Sequence, residues 1–259
     1  MDDDYLEIAG KKFKSRFFIG TGKFSSPGQL EMAINKAQSE VVTVAIRRVN
    51  LESRGEEPAT AGIDQKSVLL LPNTSGARNA QEAVRLAAFG KALVGHSWVK
   101  LEVTPDPASL LPDPVETLKA AVILISQGYT VLPYINADPI LALHLEDAGC
   151  ATVMPLAAPI GTNKGLKTVE QLRIIIDRVK IPVVIDAGLG LPSHASEAME
   201  LGASAILANT AIATADNPAL MAEAFALGVK AGRMAYLSRP GTVFNEARAS
   251  SPLTGFLRK

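Results

Sequence analysis

TVLPYINADPILALHLEDAGCATVMPL, residues 130–156, holds one complete structural unit. A β-branched and aromatic run over 130–135 predicts a strand. Asp138 then offers a helix start, apolar residues recur at helical spacing over 139–148, and Gly149 offers a stop. A second apolar run over 152–156 predicts the next strand. Strand, helix and strand in this order favour parallel strands joined by a right-handed crossover.

The same alternation extends in both directions. Strands are expected over 17–21, 41–47, 68–73, 99–103, 130–135, 152–156, 183–187 and 205–209, and helices over 79–89, 139–148, 169–178, 193–201 and 218–236. Asn79 is a further helix starter, and Gly90, Gly128 and Gly202 are further stops. The polar gap 49–66 carries few helix signals. Eight strands closing on themselves leave no edge, so the expected fold is α/β, a single (β/α)8 TIM barrel. The 259 residues suit it, since such barrels take roughly 250. A doubly wound open sheet is the competitor, but Gly20-Thr21-Gly22-Lys23-Phe24-Ser25 lacks the third glycine of a dinucleotide fingerprint. Residues 1–16 read as an N-terminal hairpin extension that plugs one barrel end, with Ala9-Gly10 at its turn, and residues 239–259 as an irregular C-terminal tail. The whole of 1–259 is expected to be one domain.

Composition narrows the class. Lys and Arg total 26 and Asp and Glu 26, so nothing electrostatic calls for nucleic acid or a membrane surface. The only cysteine, Cys150, cannot form an internal disulfide, which suits a reducing cytosol. An acidic amino terminus and short apolar runs predict a cytoplasmic protein with neither signal peptide nor membrane span. His96, His144 and His194 do not fall at metal-ligand spacing, so no metal is expected. His144 and His194 read as helix-surface residues, and Cys150 as a packing residue.

In a barrel, polar residues at the C-terminal strand ends are the ones to read. Trp98-Val99-Lys100-Leu101-Glu102-Val103 alternates, so Lys100 and Glu102 share a face opposite Val99, Leu101 and Val103. With the apolar set on the helices, Lys100 and Glu102 point inward. Desolvation lowers a lysine pKa and frees an amine to attack a carbonyl; a buried ion pair made for packing is the other reading. Asp186 ends the seventh strand, as an acid or base for the site or as a cap for the next turn. Gly188 and Gly190 let backbone N–H groups approach an anion, with a helix start near Ser193 and another after Asn209 and Thr210. Loops after strands seven and eight are the usual phosphate site of such barrels. The loop 155–165 is expected to fold over a ligand, with Lys164 as a phosphate contact or a solvated lysine. Asn73-Thr74-Ser75 and Arg47-Arg48 are candidates for polar substrate groups or a partner.

These residues resemble a family, the bacterial and plastid thiazole synthases of thiamine biosynthesis. The pieces that carry the resemblance are Val44-Ala45-Ile46-Arg47-Arg48, Leu71-Pro72-Asn73-Thr74, Lys100-Leu101-Glu102-Val103, Val153-Met154-Pro155-Leu156, Asp186-Ala187-Gly188-Leu189-Gly190 and Asn209-Thr210-Ala211-Ile212-Ala213. The resemblance implies an enzyme that builds the thiazole phosphate from 1-deoxy-D-xylulose 5-phosphate, dehydroglycine and sulfur. The sulfur arrives as a thiocarboxylate on a ubiquitin-like sulfur-carrier protein, and a separate enzyme produces the dehydroglycine. It implies an imine on Lys100, acid/base roles for Glu102 and Asp186, and phosphate and sugar contacts at Gly161, Ala187, Gly188, Asn209 and Thr210. It further implies no metal or organic cofactor and a homo-oligomer, a homotetramer or another. The sequence departs from the family pattern at Ala157, Thr162 and Asn163, and at Ser75 and Arg78, none of which is a proposed catalytic position. Other Schiff-base phosphosugar barrels, class I aldolases or pyridoxal-phosphate synthases, are the enzymatic alternative. A non-catalytic phosphosugar-binding barrel is the other.

Overall fold

A computed structural model describes residues 4–46 and 63–248. The chain opens with an antiparallel hairpin of β1 (Leu6–Ile8) and β2 (Lys11–Phe13), which turns at Ala9 and Gly10, both at positive φ. Then follow β3 (Phe17–Gly20), α1 (Pro27–Ala37), β4 (Val41–Ala45), β5 (Leu69–Asn73), α2 (Ala80–Val94) and β6 (Trp98–Leu101). The middle of the chain gives α3 (Pro114–Ser126), β7 (Thr130–Ile135), α4 (Pro139–Asp147), β8 (Met154–Pro155) and α5 (Val169–Arg178). It ends with β9 (Val184–Ile185), α6 (Pro192–Glu200), β10 (Ala205–Ala208), α7 (Thr210–Ala213) and α8 (Pro218–Ser238).

Strands β3 to β10 lie side by side in parallel, in the order β8-β7-β6-β5-β4-β3-β10-β9. The remaining seam, between β8 and β9, is joined by parallel bridges at Val153↔Val183 and Leu156↔Asp186. Across it Val184 N–H donates to the Val153 carbonyl at 2.9 Å and Asp186 N–H to that of Pro155 at 3.0 Å. No edge is left open, and the expected (β/α)8 barrel is what forms.

Helix starts follow the expected chemistry. Asn79 Oδ1 accepts from the Glu82 amide, and Asp138 Oδ1 from the Ile140 and Leu141 amides. One expected stop fails. Helix α2 runs through Gly90 to Val94 and ends at Gly95, whose φ is 75°. Gly90 is needed for contact instead, since a Cβ there would meet Pro72 Cβ at 2.9 Å and push α2 off β5. Strand β7 has its expected bounds and β6 starts one residue early, while the other strand ends that differ stop one or two residues short where the chain turns into the loops.

Val99, Leu101 and Val103 pack outward on α2 and α3, with Ala83, Ala87, Ala120, Ala121 and Leu124. Inside the barrel Phe18, Leu71, Leu132, Met154 and Val184 form an apolar layer, and the hairpin adds Leu6, Ile8 and Phe13 to it. Each such side chain, fully buried, contributes about 1.5–3 kcal/mol, so the hairpin closes the barrel end with a well-anchored apolar plug.

Asp4 clasps this plug. Its carboxylate accepts from Arg233 of α8 at 2.7 and 2.9 Å, and from Arg16 at 2.8 Å. Arg233 above all, with Arg16, pulls the Asp4 carboxyl down to about 2. A depressed carboxyl stabilises the fold above its unfolded value, about 3.9, and loses that contribution as pH falls through about 2. Asp4→Asn is therefore expected to cost about 1 kcal/mol at neutral pH, screening by solvent limiting the effect. Urea titrations at pH 7 and between pH 4 and 2 check this; the gap to the unmodified protein should shrink in acid. Among the described residues, no helix is long and apolar enough to cross a membrane.

Candidate active site

The end of β6 carries Lys100 inward, as alternation requires, and Glu102 follows two residues on. Thr74 fixes that turn: its hydroxyl donates to the Glu102 carbonyl and accepts from the Glu102 amide, both at 2.8 Å. Thr74 was a candidate for substrate contact, but this hydroxyl is fully buried and used by the backbone. Asp186, just past β9, completes the cluster. Lys100 Nζ lies 3.0 Å from Glu102 Oε1 and 2.6 Å from Asp186 Oδ2. The other Asp186 oxygen accepts from the Ala187 amide at 2.7 Å. Asp186 thus holds the turn with one oxygen and faces Lys100 with the other.

The three side chains are dry, with Lys100, Glu102 and Asp186 only 4%, 5% and 3% exposed. Burial alone lowers a lysine pKa, but Asp186 and Glu102 outweigh it and hold the Lys100 ammonium above its ordinary range. The expectation of an amine neutralised by desolvation is corrected here, because Asp186 lies far away in sequence and supplies the second negative charge. Burial first, and then Glu102, pushes the Asp186 carboxyl upward against the pull of Lys100. One ammonium between two carboxylates leaves an excess negative charge in a poor solvent, and taking up one more proton relieves it. Below them Tyr134 is fully buried, its ring 5.5 Å from Lys100 Nζ. Burial and the same carboxylates hold its phenol protonated.

The cluster opens into a cavity of about 230 Å³, which Lys100, Glu102, Asp186, Gly161, Ala187, Gly188, Asn209 and Thr210 all line. The three expected catalytic residues and the five expected substrate contacts are therefore at one place, while Thr74, Lys164 and Gly190 do not line it. Asn73, Ser75 and Lys23 join them, and Lys23 is one that sequence patterning missed. Asn209 Oδ1 is buried without a hydrogen-bond partner, and its residue lines the cavity. Gly188 has a φ of +77°, and a Cβ there would meet the Ala158 backbone nitrogen at 2.6 Å, so only glycine lets the two loops touch.

The loop after β8 is tied down rather than left to swing. Gly165 N–H donates to the Gly188 carbonyl at 2.8 Å, Lys167 N–H to that of Ala157 at 2.9 Å, and Thr168 Oγ1 to that of Leu156 at 2.9 Å. Ala157 is fully buried in the apolar core, which explains an apolar residue there. Lys164 is exposed and does not line the cavity.

His194 is a correction. It is half-buried, and its Nδ1 accepts from the Gly190 and Leu191 amides at 3.1 Å each. A Cβ on Gly165 would lie 2.7 Å from its Nε2, so the ring also seats the loop. The start of α6 is thus closed by its own imidazole and is not turned to the cavity, and α7 is only four residues long. His144 is exposed as expected. Cys150 is buried and its thiol pushed up to about 12 by burial, which suits packing. Arg47 and Arg48 lie outside the described residues. Among the described residues no three His, Cys, Asp or Glu side chains are placed to hold a metal ion.

A lysine ammonium held between two carboxylates opens onto a cavity, and a lysine that gives up its proton to such a carboxylate can attack a carbonyl. A thiazole synthase of Syntrophobacter fumaroxidans is 61% identical over 256 residues, 99% of this chain and 100% of that protein. The bifunctional protein ThiO/ThiG of a Nostoc species is 52% identical over 98% of this chain, which matches 40% of that longer protein. Among solved structures, a chain of the Amycolatopsis orientalis BexX/CysO complex superposes with a TM-score of 0.82 at 32% identity, over 94% of this chain and 98% of that one. A family model described as thiazole biosynthesis protein ThiG matches residues 7–252. With that match over nearly its whole length, this chain belongs to the ThiG family, the thiazole synthases of thiamine biosynthesis.

Proposed function

We propose that this chain condenses 1-deoxy-D-xylulose 5-phosphate, dehydroglycine and carrier-borne sulfur into the thiazole phosphate, through an imine on Lys100. The observation that carries the reading is the dry contact of Lys100 Nζ with two carboxylates, at 2.6 and 3.0 Å. Lys100 hands a proton to Asp186, and the free amine adds to the sugar ketone. The resulting carbinolamine takes a proton on its hydroxyl and loses water, leaving the imine. That imine acidifies the neighbouring carbon, and a carboxylate moves its proton to give an enaminol that relocates the carbonyl. The thiocarboxylate sulfur then adds to the relocated carbonyl, its acyl group passes to the new hydroxyl oxygen, and the carrier leaves as a free carboxylate that takes that oxygen with it. The sulfur adds to the imine carbon of dehydroglycine, whose nitrogen displaces Lys100 as the free amine, and water is lost as the ring closes. Asn209, Thr210 and the backbone at Gly161, Ala187 and Gly188 hold the sugar and its phosphate.

The sulfur donor in this reading is the thiocarboxylate of a ubiquitin-like carrier protein, and a relative seen as the BexX/CysO complex supports a protein partner. The fused ThiO/ThiG relative supports cooperation with a second enzyme, here the producer of dehydroglycine. The chain acts as one catalytic unit in the cytoplasm, as a homo-oligomer, with no metal or organic cofactor.

Borohydride added with deoxyxylulose phosphate, followed by intact mass, tests the imine. One reduced adduct per chain is expected, and none with fructose bisphosphate. The reverse preference would assign an aldolase, and no adduct from folded protein would leave a non-catalytic phosphosugar barrel.

A further inference from the structure

We propose that Lys23 grips the phosphate of the substrate and makes the site selective for the phosphate ester over the free sugar. The inference rests on the reading of the cavity as a phosphosugar site. Lys23 Nζ lies 3.4 Å from the point a Cβ on Gly161 would occupy, and Thr210 Oγ1 lies 3.8 Å from that same point. Two donors thus converge on a space that exists because residue 161 has no side chain. Both line the cavity.

Charge gives the second argument. Among the described residues, the ionisable side chains lining the cavity are Lys23, Lys100, Glu102 and Asp186. Lys100 already faces both carboxylates, and an arriving phosphate would meet their excess negative charge. Lys23 is the cation of the lining that faces neither. Among the described residues no carboxylate lies within ion-pair distance of it. Its backbone supplies the third. Lys23 sits at a φ of +70°, a left-handed conformation that glycine or asparagine adopts at less cost. A long cationic side chain is carried there in spite of that cost.

Two measurements test the proposal: equilibrium binding of inorganic phosphate, and the sugar concentration giving half-maximal borohydride trapping. They are applied to the unmodified protein, Lys23→Met, Lys23→Arg and, as a control, Lys164→Met. Lys23→Met should weaken phosphate binding and raise the half-saturating deoxyxylulose phosphate by about 10- to 100-fold, as for loss of a charge-assisted contact. Half-saturation by unphosphorylated deoxyxylulose should move less than about 3-fold, within the context scatter of a remote contact. Lys23→Arg should restore most of the phosphate preference, and Lys164→Met should leave it intact. Equal shifts for both sugars, or no shift in phosphate binding, would overturn the assignment of Lys23. Phosphate binding lost in Lys23→Met while no adduct forms in any protein would keep the phosphate grip and remove the imine reading instead.

Discussion

Lys100→Ala is expected to yield no borohydride adduct with deoxyxylulose phosphate and to lower thiazole formation by at least about 10³-fold, the scale of losing a covalent nucleophile. The substitution also removes the ammonium that neutralises two buried carboxylates, so lost activity alone does not identify a nucleophile. Lys100→Arg separates the two effects. A guanidinium keeps the positive charge but stays protonated at any working pH, and it cannot add to a ketone. Adduct formation should vanish in both variants, while Lys100→Arg keeps the charge balance of the cluster. An adduct that persists in either variant, or that maps to another lysine, would move the chemistry away from Lys100. The charge role has its own pH signature. The folded state holds the Lys100 proton more tightly than the unfolded chain does. That stabilisation is therefore complete below the ordinary lysine value, about 10.4, and is lost as pH rises beyond it.

Asp186→Asn should lower the rate of adduct formation at neutral pH by about 10²- to 10⁴-fold, the range for removing a positioned acid or base. Its Oδ2 stands 2.6 Å from Lys100 Nζ, closer than Glu102 at 3.0 Å. Asparagine takes up the same space and cannot accept the proton. With Asp186 as the relay, the free amine of that variant arises by loss of the proton to solvent, so its rate should climb about tenfold per pH unit below the lysine pKa. The unmodified protein should show a flatter rise. A loss smaller than about 10-fold, or a larger one in Glu102→Gln, would assign the proton relay to Glu102 instead.

Much of this was legible in the chain. The alternation in Trp98–Leu101 and on to Glu102 turns Lys100 and Glu102 into the barrel, because apolar neighbours on the other face must reach the helices. Strand order follows from the repeated crossovers, since every parallel neighbour is next in sequence except where β10 closes on β3. What escaped depended on contacts between distant residues. Gly90 reads as a helix stop until β5 is placed beside it, and His194 as surface until it meets Gly165. The ionisation of Lys100 could not be foreseen from its own strand, because burial and carboxylates act in opposite senses. Lys23 belongs to a short turn with no periodic pattern, and its importance appears only when the loop carrying Gly161 folds beside it.

The pairing of β10 with β3 has a consequence for how this molecule comes into being. Ile206 lies beside Phe17 in the ladder, so the last strand must find the first across most of the chain. Closing so long a loop carries an entropic cost that the pairing of strands adjacent in sequence does not. During synthesis Lys100 and Glu102 leave the ribosome well before Asp186, and Asn209 and Thr210 follow later still. The nascent chain therefore carries a buried-type lysine with only one of its carboxylates for much of translation. Lys100 therefore meets its second carboxylate only when β9 joins the barrel, so the charged cluster is assembled by closure and not by its own strand.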